Sequence, residues 1–200
     1  MSQTLTEDPL RRYRILITGT GGVESHSLFV QYSKHTFSRD YDVSIEGTEE
    51  YRALLEHNIR NAEGIILTYS IISLNSLHAL DTFDRIIKKH HGRDNPIPVV
   101  LLGNKCDLSD SERQVSFSDG AHFAKTRGWH FFEVSAKKNI NVDEAFMKLF
   151  TQVRNKDILT HRSTAAADIL NSSSTSSSNS SSQRHSRIKA LWHKAIKLRH

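Results

Sequence analysis

Four short apolar segments stand out in the first 150 positions of the chain, at residues 12–18, 64–71, 99–103 and 130–134. Short runs that are nearly continuously apolar are typical of parallel strands covered on both faces. Helical patterns separate them, and the last shows apolar residues three and four positions apart from Val142 to Val153, after a capping Asn141. Another apolar stripe consists of Leu77, Leu80, Phe83 and Ile87. The alternation predicts an α/β fold with a doubly wound, mostly parallel four-stranded sheet.

The composition divides the chain into four parts. Residues 1–10 are polar and acidic and lack the apolar stretch of a secretory signal, so they are expected to be disordered. Nine of the eleven residues at 172–182 are serine, which is typical of a flexible linker. We therefore predict a disordered start at 1–10, a folded domain at 11–158, a Ser-rich linker at 159–186 and a basic tail at 187–200.

The net charge of +5 is distributed unevenly along the chain. Residues 160–200 hold seven Lys or Arg against one Asp, whereas residues 1–159 hold 20 basic residues against 21 acidic ones. A nucleic-acid-binding domain carries its positive charge on the folded surface. The near-neutral domain therefore argues against a nucleic-acid partner.

Cysteine and histidine content limits the remaining chemistry. The one cysteine, Cys106, leaves no internal disulfide or cysteine-based zinc site, and it favours a reducing, cytoplasmic setting. The twelve histidines are scattered, and only His90 and His91 are adjacent, which is typical of surface residues rather than metal ligands. No run of 18 apolar residues exists, so no transmembrane helix is expected.

A glycine-rich turn, Gly19-Thr20-Gly21-Gly22-Val23, follows the first predicted strand and precedes a predicted helix. The backbone N–H groups of such a turn can surround a phosphate. A tight turn that merely needs a positive φ is the simpler alternative. The turn alone does not decide between the two.

Two further motifs decide it in favour of nucleotide binding. Asn104-Lys105-Cys106-Asp107-Leu108 matches the guanine-recognition pattern N-K-x-D, and Ser135-Ala136-Lys137 matches its companion S-A-K. An aspartate carboxylate can accept both N1–H and N2–H of guanine, a pair that adenine does not offer. The backbone N–H of Ala136 can donate to guanine O6. Both motifs follow strands in the right order, which indicates a guanine site rather than two solvated loops.

With these motifs the chain resembles the Ras family of small GTPases over about residues 11–156. The resemblance implies a P-loop NTPase-like fold, GTP or GDP as ligand, and signal transduction through effector or regulator proteins at a switch-like surface at residues 40–46. It also places Phe37 against the guanine ring. The nucleotide-binding residues that it implies are Gly19, Thr20, Gly21, Gly22, Val23, Phe37, Asn104, Lys105, Asp107, Leu108, Ser135, Ala136 and Lys137.

The phosphate end of the site departs from the family pattern G-x-x-x-x-G-K-[ST]. Glu24 replaces the second glycine, Ser25 the lysine, and His26 the hydroxyl that would bind Mg²⁺. Each lost charge-assisted contact is worth roughly 1.5–3 kcal/mol, so losing several together weakens nucleotide binding by several powers of ten. Glu24 also adds a negative charge beside negative phosphates.

The switch segments depart from the family as well. Glu46 joins directly to Gly47, so a two-strand hairpin of about 20 residues is missing, and the strand at 12–18 becomes an edge of the sheet. Thr48 takes the place of the water-orienting glutamine and has no amide. Ser44 stands at the switch threonine and could offer Mg²⁺ a hydroxyl, which alone makes no metal site. We expect no catalytic residue, weak Mg²⁺ binding and little or no hydrolysis.

The tail at 187–200 predicts a basic amphipathic helix, since Ile188, Leu191, Trp192, Ala195 and Ile196 fall on one face. Such a helix suits an anionic membrane surface or a helix-binding groove. An unstructured basic end is the alternative. Ras relatives usually carry a C-terminal C-a-a-X cysteine for prenylation, and this tail has none. We therefore expect a cytoplasmic protein that is not prenylated and is at most peripheral at the plasma membrane.

The sequence thus predicts a Ras-like small G protein that binds GTP or GDP weakly and hydrolyses it little or not at all. Two alternatives stay open. A nucleotide-independent interaction protein, or pseudo-GTPase scaffold, would act through residues 40–46 or through the tail. An incomplete gene model or splice form of an active Ras GTPase would explain the missing hairpin, but not the replacements at residues 24–26.

Overall fold

The computed structural model describes residues 12–34, 49–92 and 96–172, without the side chains of Glu50 and of residues 161–172. The strands in these ranges are β1 (Ile15–Gly19), β2 (Gly64–Ser70), β3 (Val99–Asn104) and β4 (His130–Val134). The α-helices are α1 (Ser25–Lys34), α2 (Glu49–Asn61), α3 (Leu74–His78), α4 (Leu80–His91), α5 (Phe117–Lys125) and α6 (Val142–Ser172).

The four strands form one sheet in the order β1-β2-β3-β4, and every pair is parallel. The predicted doubly wound parallel sheet is therefore confirmed. Within the described ranges β1 lies at an edge, as the missing hairpin led us to expect. β1 begins at Ile15 rather than at residue 12, because the N–H of Arg14 donates to the Glu63 carboxylate at 2.8 Å instead of to a strand.

Helices cover both faces of the sheet, and successive side chains of β2 point to opposite faces. Ile65, Leu67 and Tyr69 pack with buried side chains of α2, α3, α4 and α5. Ile66 packs on the other face with α1 and α6, chiefly through Leu28 and Phe146. Because both faces are covered, β2 and β3 are buried along their whole length, which explains why their sequences are mainly apolar.

The helices differ from the sequence prediction in two places. The stripe from Leu77 to Ile87 is shared by α3 and α4, which meet at Ala79, a residue that keeps helical angles (φ −62°, ψ −21°). The predicted linker at 159–186 is wrong in its first part, because α6 continues to Ser172. Residues 158–171 contain no glycine or proline and include three consecutive alanines, so they favour helix until the serine run begins.

The chain separates into two compact units, residues 1–157 and residues 158–200. The first holds the sheet. In the second the structure describes the continuation of α6 as far as Ser172. In the part of the chain that the structure describes, no helix is both long and apolar enough to cross a membrane.

Parallel strands bring their carboxyl ends to one edge of the sheet, and this positions the candidate site. The loop between β1 and α1 begins at Gly19, where an added Cβ would lie 2.3 Å from the carbonyl oxygen of Thr68. Only glycine allows β1 and β2 to approach this closely at the point where the loop leaves the sheet.

Candidate functional site

A cavity of about 220 Å³ lies where the loops after β1, β3 and β4 meet. Its walls come from Glu24, Ile72, Asn104, Lys105, Asp107, Leu108, Ala136 and Lys137. Six of these were predicted as nucleotide-binding residues. The carboxyl ends of the strands thus gather residues that are more than 100 positions apart in the sequence.

Asn104 fastens the three loops together. It is the last residue of β3 and only 1% exposed. Its Nδ2 donates to the carbonyl oxygen of Val23 at 3.0 Å, and its Oδ1 accepts the N–H of Ala136 at 3.2 Å. Because a buried amide must be hydrogen-bonded, this residue fixes the loop after β1 and the loop after β4 relative to β3.

Asp107 is held by Ser135 from the loop after β4. The Ser135 hydroxyl donates to Asp107 Oδ1 at 2.7 Å and accepts the N–H of Lys138 at 3.0 Å. Ser135 is itself fully buried, and its backbone exchanges two hydrogen bonds with Ile140. The carboxylate that lines the cavity is therefore oriented by a rigid support rather than by solvent.

Lys105 directs its ammonium group at the loop after β1. Its backbone is left-handed (φ +73°), and its Nζ donates to the carbonyl oxygen of Gly22 at 2.9 Å. The same Nζ lies 3.6 Å from Oε1 of Glu24. The positive charge of Lys105 is thus paired within the protein.

Glu24 occupies a backbone conformation that favours glycine. Its φ is +60°, and its carbonyl oxygen accepts the N–H of Leu28, which starts α1. A side chain in this region costs about 1–2 kcal/mol relative to the ordinary helical region. The carboxylate lies on the cavity wall with about a third of its surface exposed.

Comparison with known proteins identifies the family. The Ras family model matches residues 45–155. Ras-like protein 1 of Saccharomyces cerevisiae (strain ATCC 204508 / S288c) is 39% identical over 167 residues, which cover 72% of this chain and 53% of that protein. The chain belongs to the Ras family. It spans about half the length of the yeast relative, and its four-stranded parallel sheet with flanking helices agrees with the P-loop NTPase fold of Ras proteins.

The phosphate end of this Ras-family site carries two side chains that replace the family's lysine and Mg²⁺-binding hydroxyl. Ser25 is half-buried and His26 is exposed at the start of α1. Among the residues that the structure describes, no group of three or more His, Cys, Asp or Glu could hold a metal. Ser44, the residue that the sequence offered as a Mg²⁺ ligand, lies outside the described residues.

The remaining predicted residues take up different positions around the cavity. Gly22 and Val23 contribute carbonyl oxygens that Lys105 and Asn104 bind, and Gly19 packs against β2. Gly21 is exposed, and the Thr20 hydroxyl is buried without a protein partner. Phe37, the switch-like surface at 40–46, the replacement at Thr48 and the basic tail at 187–200 lie outside the described residues.

Sequence reasoning missed two residues of the cavity wall. Ile72 follows β2 by two positions and offered no polar signal. Glu24 was recognised as a charge near the phosphates, but not as the partner of Lys105. The sequence carried no signal for this pairing, because it depends on the left-handed backbone of Glu24, which residue identity alone does not give.

Cys106, in the middle of N-K-x-D, behaves as a structural residue. It is half-buried, and its N–H donates to the carbonyl oxygen of Val134 at 3.1 Å. Burial, reinforced by the nearby carboxylates of Glu133 and Asp107, raises the pKa of the Cys106 thiol. A raised pKa disfavours the thiolate, the form in which cysteine acts as a nucleophile.

Proposed function

We propose that this Ras-family protein binds guanine nucleotides mainly through the base, with low affinity, and that it hydrolyses GTP little or not at all. The observation that carries the proposal is the Asn104–Asp107–Ser135 network, which presents an oriented carboxylate to a small cavity. Membership in the Ras family supports guanine as the ligand.

The chemistry of base recognition follows from the donors and acceptors on the cavity wall. The Asp107 carboxylate accepts N1–H and N2–H of guanine, and an adenine ring offers no such pair. The N–H of Ala136 now donates to Asn104 Oδ1 at 3.2 Å, so guanine O6 would share or replace that acceptor. Lys105 covers the cavity from the β1–α1 side with its aliphatic stem, and Leu108 adds apolar surface.

The phosphate end supports the weak-binding and non-hydrolysing part of the proposal. In this family, phosphoryl transfer depends on positioning the phosphates and neutralising their charge. Ser25 and His26 stand where the lysine and the hydroxyl belong, and Glu24 adds the wrong sign of charge. Thr48, which takes the place of the water-orienting glutamine, is short and has no amide, so no hydrolytic step is assigned.

Titration with fluorescent GDP tests binding. We expect weak, saturable binding that Asp107→Ala abolishes, because the replacement removes both acceptors for the guanine N–H groups. Asp110→Ala is the matched control, since Asp110 is an exposed acid three positions away and does not line the cavity. Equal binding by the wild type and Asp107→Ala would refute the proposal.

A phosphate-release assay tests hydrolysis. With GTP in excess we expect release at the rate of the protein-free blank. Multiple-turnover release that Asp107→Ala removes would show that the site hydrolyses GTP after all. The two assays are independent, so binding and hydrolysis are judged separately.

Two further roles are proposed on the sequence alone. Family membership supports signalling through effector or regulator proteins, which residues 40–46 would contact. The alternation of basic and apolar residues in the tail supports peripheral attachment to anionic membranes, at roughly 1 kcal/mol per basic residue near the surface. Co-sedimentation with phosphatidylserine vesicles, lost when Lys189, Lys194 and Lys197 are replaced together by Glu, tests the second role. Binding unchanged by that replacement would contradict it.

A scaffold that needs no nucleotide remains the second candidate function. It is favoured by the Glu24–Lys105 pair, which gives the cavity a stable arrangement without a ligand. The absence of GDP binding at high protein concentration would support it. Sequencing the transcript across the codons for Glu46 and Gly47 separately tests whether a splice form lacks the hairpin.

A further inference from the structure

The charges on the wall of the cavity cancel. Glu24 and Asp107 are acidic, and Lys105 and Lys137 are basic. Asp107 is held for the base by Ser135, and Lys105 is paired with Glu24. A ligand entering this cavity therefore meets no net positive charge from its walls.

The position of the Glu24 carboxylate matters more than the net charge of the cavity wall. It stands at the junction of the β1–α1 loop with α1, and the left-handed backbone of Glu24 and the hydrogen bond from Leu28 fix the start of its side chain. Lys105, the nearest cation, already has two oxygen partners there. A phosphate that approached Lys105 would have to displace Glu24 or lie beside it, and like charges at such distances repel.

The size of the cavity also argues against a bound phosphate chain. At about 220 Å³ it is smaller than the 300–1,000 Å³ typical of sites for drug-sized ligands. Its specific polar groups, Asn104, Asp107 and Ala136, belong to the part that would read a base. Toward the β1–α1 loop the wall instead presents the Glu24 carboxylate, with Lys105 as its ion-pair partner.

We infer that this site selects an uncharged guanine compound, the free base or the nucleoside, over guanine nucleotides, and that Glu24 is the residue that sets this preference. The inference rests on the proposed function, because it assumes that the base is read by Asp107. It reverses the order of affinities that a phosphate-binding loop produces: each added phosphate lowers the affinity instead of raising it.

Calorimetric titration of the full chain with guanosine, GMP and GDP at one ionic strength tests the inference, with adenosine as the control for base specificity. We expect the affinity to fall from guanosine to GMP to GDP, by at least about tenfold in all. Added salt should narrow the difference, since screening weakens repulsion between partly exposed charges.

The variant Glu24→Gln separates charge from shape. It should tighten GDP binding by about tenfold relative to guanosine binding, so that the ratio of the two affinities shifts. The matched control is Glu56→Gln, which removes the carboxylate of another lysine pair (Glu56–Lys89, 2.9 Å) away from the cavity and should change neither affinity. Glu24→Gly provides a second variant that also relieves the left-handed backbone, and circular dichroism confirms that each variant is folded.

The outcomes distinguish the inference from the proposal on which it rests. Tighter binding of GDP than of guanosine by the wild type would overturn the inference and leave the proposed function standing. A ratio of affinities that neither Glu24 variant moves would remove Glu24 as the determinant. Failure of every guanine compound to bind would overturn the proposed function, and the inference with it.

Discussion

The base end and the phosphate end of the site are built from the same strand-end loops, yet they have changed to different extents. Asn104 and Ser135 are buried, and their hydrogen bonds join loops from three strands. Ser25 and His26 are more exposed. Residues whose polar atoms hold the fold together are needed whether or not a ligand binds, whereas residues that contact only a ligand can change without unfolding the domain. The comparison explains how a guanine motif can persist beside a phosphate loop whose sequence departs from the family pattern.

The largest effect that this comparison predicts comes from Asn104→Ala. The replacement leaves the carbonyl oxygen of Val23 and the N–H of Ala136 without their partner in a buried position. Each such group costs about 1–3 kcal/mol, so the free energy of unfolding should fall by about 3 kcal/mol even without ligand. Urea denaturation measures it. Asn58→Ala, on the exposed face of α2, is the control and should change stability by less than about 0.5 kcal/mol.

A loss below about 1 kcal/mol for Asn104→Ala would break the comparison. It would mean that the asparagine serves the ligand rather than the fold. The base end would then have persisted for binding alone, and its difference from the phosphate end would need another explanation.

The second prediction compares alanine replacements of two glycines in the β1–α1 loop, Gly19 and Gly22. Gly19→Ala places a Cβ 2.3 Å from the backbone oxygen of Thr68, which cannot move without disturbing β2. Overpacking of this kind costs about 1–3 kcal/mol, and the upper end is expected here. Gly22→Ala meets no atom within 4 Å and pays only for its positive φ of +77°, about 1 kcal/mol. Thermal unfolding of both variants should rank Gly19→Ala as clearly the less stable, and equal losses would contradict the structure.

The sequence predicted the sheet well because its signal is local. The buried strands β2 and β3 and the partly buried β4 each carry a short run of mainly apolar residues, so all three could be located within a residue or two. The end of α6 was misplaced because the transition at residue 158 was placed on composition, whereas alanine-rich sequence favours helix up to Ser172. The motifs N-K-x-D and S-A-K predicted most of the cavity wall, since each motif is contiguous.

The Glu24–Lys105 pair could not be predicted in the same way. The two residues are 81 positions apart, and their contact depends on the left-handed backbone of each. Pairings across a sheet depend on the direction in which a loop projects its side chains, and residue identity alone does not give that direction.

The third prediction concerns buried hydroxyls near the phosphate end. Thr68 is fully buried, lies opposite Gly19 in the sheet, and has a hydroxyl without a protein partner. Thr68→Val replaces that hydroxyl by a methyl group of similar size, which should raise the free energy of unfolding by about 1 kcal/mol. Thr126→Val is the control, because the hydroxyl of Thr126 donates to the carbonyl oxygen of Phe123 at 3.1 Å and lies on the surface. A loss of stability in Thr68→Val would show that the hydroxyl is hydrogen-bonded in solution.

The smallest predicted effect tests whether Glu24 stabilises the fold. Glu24→Gly removes an ion pair whose partners are about a third and a fifth exposed, and such pairs contribute only about 0–1 kcal/mol. It also removes the strain of a side chain at φ +60°, worth about 1–2 kcal/mol, although glycine loses more conformational freedom on folding. The net change in the free energy of unfolding should be a gain of about 0.5 kcal/mol or less, measured by urea denaturation. Lys105→Met is measured beside it, because this variant breaks the pair without relieving the backbone and should lose stability.

If Glu24→Gly instead loses as much stability as Lys105→Met, the pair stabilises the fold, and the contrast drawn between the two ends of the site would not hold for Glu24. A gain would mean that the glutamate persists at a cost to the fold, which is expected of a residue that acts on the ligand.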